Sequence, residues 1–89
     1  MAEFLVEVYL SRGNAHDASV DQARRAAREL TDEGTPVVYL SSIFVPEDET
    51  CFFLYQAASV EAVREAVQRA SLRFERVSVA MADPKGVLR

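Results

Sequence analysis

Two apolar runs, VVYLSSIFV at 37–45 and TCFFLYQA at 50–57, are separated by only the four residues PEDE. Runs rich in Val, Ile, Tyr and Phe extend as strands. A short polar break opening on proline folds the second run back on the first as a β-hairpin. The hairpin constrains everything around it, because a helical pattern and a further strand pattern flank it on each side. Upstream, EFLVEVYL (3–10) alternates, with Phe4, Val6, Val8 and Leu10 on one face and Leu5, Glu7 and Tyr9 on the other. Downstream, FERVSVAMA (74–82) alternates in the same way.

Between these strands lie two amphipathic stretches. Ser19 reads as an N-cap after the polar loop SRGNAHDAS, and Val20, Ala23, Ala26, Ala27 and Leu30 recur at helical spacing until Gly34 and Pro36 end the run. Ser59 reads as a second N-cap, with Glu61 and Glu65 favouring the helix start and Val60, Val63, Ala66, Val67 and Ala70 forming the apolar stripe. The order β-α-β-β-α-β predicts an α+β, ferredoxin-like domain over 1–82: a four-stranded antiparallel sheet with two helices on one face. Residues 83–89 read as a flexible C-terminal tail.

Such an architecture leaves one sheet face bare. Alternation puts Val6, Val8, Val38, Leu40, Phe52, Leu54, Val77 and Val79 toward the helices. The bare face then holds Leu5, Glu7, Tyr9, Val37, Tyr39, Ser41, Ile43, Cys51, Phe53, Tyr55, Ser78 and Ala80. A one-residue slip in the hairpin would exchange these sets. An aromatic and aliphatic face of this kind meets a partner or lines a cavity, and tyrosines offer apolar bodies with polar ends. Glu7, Tyr9, Tyr39, Ser41, Tyr55 and Ser78 are therefore the candidate ligand-binding residues, in a homodimer joined through this face. Glu7 has two readings. Desolvated, with a raised pKa, it would be a general base or anchoring acceptor, as in a small-cavity cyclase or isomerase. Otherwise it accepts hydrogen bonds from tyrosines or pairs with an arginine.

Several of these segments resemble a family of small bacterial ferredoxin-like proteins described as nickel-binding or of unknown function. The carrying pieces are FLVEVYL (4–10), VVYLSSIFVPEDETCFFLYQA (37–57), with its Cys51-x-x-x-Tyr55 strand, and SVEAVREAVQRASLRFERVSV (59–79). The resemblance implies the same fold and a homodimer. It also brings in nickel, which imidazole suits. This chain, however, has Leu40 and Ala66 where members commonly carry histidine, and Ser71-Leu72-Arg73 in place of the usual Gly-Leu-Pro.

The remaining chemistry is sparse. His16, the single histidine, falls in the predicted loop, and Cys51, the single cysteine, has no adjacent base. With Glu7 they form a candidate metal set that matches no recognised spacing. Arg24, Arg25 and Arg28 read as an anion site or as a solvated helix face beside Asp21 and Glu29. No phosphate loop, nucleophile elbow or paired-histidine motif is present. A net charge of −4 argues against nucleic acid as partner. No apolar run approaches the roughly 18 residues of a membrane span, no secretory signal pattern opens the chain, and a lone cysteine fits a cytoplasmic protein. The expected function is thus a small dimeric ligand-binding protein for nickel or a small organic molecule. The alternatives are the small-cavity enzyme and a non-catalytic interaction module.

Overall fold

The computed structural model describes residues 1–11 and 16–81; the expected tail at 83–89 lies outside them. The elements run β1 (Ala2–Tyr9), α1 (His16–Asp32), β2 (Val37–Val45), a 3-10 turn (Pro46–Asp48), β3 (Thr50–Ala57), α2 (Val60–Arg69) and β4 (Phe74–Ala80). The strand order is β2-β3-β1-β4, antiparallel throughout. This is the ferredoxin-like α+β fold read from the sequence. The helices pack side by side, and Arg69 of α2 reaches Glu33 just past α1 with a two-nitrogen grip at 2.7 and 3.0 Å.

Local signals explain most boundaries. Ser59 caps α2, its Oγ accepting from the Ala62 N–H at 3.3 Å. The hairpin closes through the 3-10 turn and Glu49, which takes the left-handed conformation at φ 51°. Helix α1 corrects the sequence reading: it begins at His16, and Ser19 is a buried residue inside it rather than its cap. Tertiary contacts stabilise the extra turn, since the His16 ring stacks on Phe44 of β2 with centroids 5.2 Å apart.

The strand faces need a larger correction. Strand β1 turns Phe4, Val6 and Val8 inward, as predicted. Their partners on β3 are Tyr55, Phe53 and Cys51, all fully buried. The hairpin is therefore flipped by one residue from the expected assignment. Cys51, Phe53, Tyr55, Val37 and Tyr39 lie on the helix side, while Val38, Phe52 and Leu54 lie on the bare side. Strand β2 also bulges between Tyr39 and Ser41, leaving Leu40 exposed. The bulge shifts the inward set from Val37 and Tyr39 to Ser42 and Phe44, so no strict alternation could describe the strand. Val79, expected inside, is 68% exposed on edge strand β4.

The core sets small helix residues (Ala23, Ala27, Ala62, Ala66) against the aromatic inner row of β3. Two polar groups are trapped within it. The Tyr55 hydroxyl is buried without a hydrogen-bond partner among the described residues, an arrangement that costs about 1–3 kcal/mol. Burial, and secondarily the nearby Tyr39 phenol, push its pKa far up. Burial also pushes the Cys51 thiol up to about 11.

Two predictions follow from these features. The Cys51 thiol binds its proton more tightly folded than unfolded, so its contribution to stability is complete below the unfolded pKa and is lost as pH rises toward the folded one. Urea unfolding should therefore show stability falling from about pH 9 to 11, by on the order of 2 kcal/mol from this group. Cys51→Ala should flatten that fall, leaving the slope due to Tyr55. The second concerns the end of α2, where Ser71 takes a left-handed φ of 61° and its N–H bonds to the Gln68 carbonyl. Glycine adopts this conformation without strain, so Ser71→Gly should raise stability by roughly 0.5–1 kcal/mol in the same assay.

Candidate functional site

The bare sheet face is built by alternate residues of four strands. Leu5 and Glu7 of β1 sit opposite Leu54 and Phe52 of β3 on one side, and opposite Ser78 and Arg76 of β4 on the other. Ser41 faces Leu54 and Ile43 faces Phe52 across the hairpin. Ile43 is 65% exposed and Val38 42%; Leu5, Phe52 and Leu54 are half-buried. Tyr9 stands at one end with the Arg73 guanidinium 6.0 Å from its ring centroid. Among the described residues, no helix covers this surface.

Glu7 is half-buried at its centre, and its Oε1 lies 3.4 Å from Arg76 Nη2. The carboxylate is met by a guanidinium and not by tyrosine hydroxyls. Arg76 escaped the sequence reading, although its outward place beside Ser78 in the β4 alternation was the available signal. Of the six candidate ligand-binding residues, the face brings together Glu7, Tyr9, Ser41 and Ser78. Tyr39 and Tyr55 belong to the opposite side, where Tyr39 meets Tyr55 edge-on at 5.8 Å and Phe53 at 5.9 Å.

The candidate metal donors are also divided. Cys51 is buried on the helix side of the sheet, across from Glu7. His16 lies in the first turn of α1 instead of a loop, its Nε2 3.2 Å from Ser42 Oγ. Among the described residues, no three His, Cys, Asp or Glu side chains come together to hold a metal ion. A thiol held protonated by burial is a poor ligand, and the Glu7 carboxylate is already engaged by Arg76. These donors within one chain do not fit a nickel centre. Of the two positions where the resemblance implies histidine, Leu40 is exposed at the β2 bulge and Ala66 is buried under the sheet.

The arginines of α1 differ in their surroundings. Arg24 lies over the Tyr39 ring, 5.4 Å from its centroid. Arg24 and Arg28 border a cleft of about 370 Å³ between α1 and the β2 edge. Among the described residues, no helix is long and apolar enough to cross a membrane.

Comparison with known proteins agrees with this architecture. The crystal structure of SCO4226 from Streptomyces coelicolor A3(2) superposes with a TM-score of 0.72 at 21% identity, over 92% of this chain and 99% of that one. At that identity the likeness establishes the fold. No curated protein sequence matches. Residues 4–79 match the profile of the family described as nickel responsive protein SCO4226-like, covering both helices and the hairpin and most of β1 and β4. The chain belongs to the SCO4226-like family.

Proposed function

We propose that this protein is a small homodimeric binding protein whose two bare sheet faces pack together, holding a small organic ligand around Glu7, Tyr9, Ser41 and Ser78. The observation that carries this reading is the chemistry of the face: Leu5, Val38, Ile43, Phe52 and Leu54 surround one engaged carboxylate, and among the described residues no helix shields them. Apolar surface of this kind is stabilised by burial against a partner. The polar groups among it supply the few directional contacts that orient a ligand. Catalysis by Glu7 has less support. The Tyr39 and Tyr55 hydroxyls lie across the sheet, and Arg76 already occupies the carboxylate.

Sedimentation velocity at micromolar concentration should give a dimer. Ile43→Lys, which alters an exposed side chain and should leave the circular dichroism spectrum unchanged, should give a monomer. A wild-type protein that stays monomeric at every concentration would sink the reading.

A second reading, nickel response, rests on the description of the family. Since Glu7 is the only one of the three candidate donors on the bare face, such a site would need ligands from both copies. Equilibrium dialysis against micromolar Ni²⁺ should show no stoichiometric uptake. Uptake that disappears in Glu7→Gln would move the assignment to a shared metal site.

A further inference from the structure

The cleft between α1 and β2 shares Val38 with the bare face at its rim and otherwise combines features that the sheet-face reading does not use. Strand β2 is a sheet edge. Thr31 Oγ1 accepts from the Val37 N–H and donates to the Val37 carbonyl, both at 3.0 Å. Val37 therefore turns its peptide groups away from β3 and toward α1. In an antiparallel ladder the direction repeats every second residue, so the N–H and C=O of Tyr39 point to the same outer side, into the cleft. The bulge after Tyr39 then leaves Leu40 41% exposed, and Leu40 and the outward-turned Val38 supply an apolar rim to the cleft.

Two guanidiniums border the same space. Arg24 is held over the Tyr39 ring, and Arg28 lies one turn further along α1. Among the described residues, neither makes an ion pair. Like charges at this spacing destabilise a helix. The chain has 14 acidic residues against 10 basic ones, yet among the described residues no carboxylate comes within ion-pair distance of either guanidinium, although Asp21 shares their stretch of the α1 surface. A volume of about 370 Å³ is that of a small-molecule site.

We infer that this cleft binds a small organic carboxylate with a compact apolar body. The carboxylate bridges Arg24 and Arg28, whose forked donors match it. The body lies against Val38 and Leu40, beside the free peptide edge of Tyr39. The site meets the bare sheet face at its rim, where Val38 borders both; its charged wall is on α1, across the sheet from Glu7.

The test is an amide-resolved NMR titration with benzoate, benzamide and acetate. Benzoate should shift the amides of residues 38–41 saturably. Benzamide, which lacks the charge, and acetate, which lacks the body, should each bind at least about ten-fold more weakly. Arg28→Gln should weaken benzoate by about ten-fold, as expected for loss of one charge-assisted contact. Arg28 is exposed and packs on no aromatic ring, so this variant keeps the fold, which the unshifted remainder of the spectrum verifies. The inference is overturned by any of four results: no saturable shift, saturable shifts confined to other residues, benzamide or acetate matching benzoate, or Arg28→Gln binding as the wild type does.

Discussion

The structure depends on one fit: alanine-rich helix faces lie close to the sheet because its inner surface carries the bulk. Ala23, Ala27, Ala62 and Ala66 meet a row containing Phe53 and Tyr55, flanked by Phe4, Val6 and Val8. Small residues on one layer and large ones on the other fill the space at the density of a folded interior. Reversing β3 would place Phe52, Leu54 and Gln56 under the helices and leave Phe53 and Tyr55 in solvent. The fit therefore decides the face of every strand. Its accompanying cost is the Tyr55 hydroxyl, which enters the core with the ring.

Once the inner face is settled, the outer one has its composition by default. It retains Leu5, Ile43, Phe52 and Leu54, and Glu7 finds its partner in Arg76 on the neighbouring strand. The same division separates the candidate metal donors, with Glu7 outside and Cys51 inside. It leaves this member of the SCO4226-like family with an apolar outer sheet surface, while the described donors of a single chain do not gather around an ion. The β2 bulge is a local departure with a separate effect. It interrupts the alternation and exposes Leu40 at the rim of the cleft that Arg24 and Arg28 border.

Legibility followed the contrast within each strand. In β1 a carboxylate at Glu7 marks one alternate set as outer, and the reading of Phe4, Val6 and Val8 as core holds. In β3 both sets, Cys51-Phe53-Tyr55 and Phe52-Leu54, are apolar, so period two identifies a strand without choosing its face. In β2 the bulge defeats the pattern itself. Helix α2 announced its start through Ser59, whose cap is a local hydrogen bond. The start of α1 was misread because Ser19 is an equally good local signal, overridden by the stacking of His16 on Phe44, a residue 28 positions away.

The sequence by itself determined the element order, the antiparallel sheet and the residue types available for function, because hydrophobic period, caps and a short turn are encoded between near neighbours. Tertiary structure alone decided which of two apolar sets faces water, which charges meet, and that Arg24 comes to rest over Tyr39. Those outcomes depend on filling a shared volume between layers that are distant in the chain, and no local pattern measures that volume.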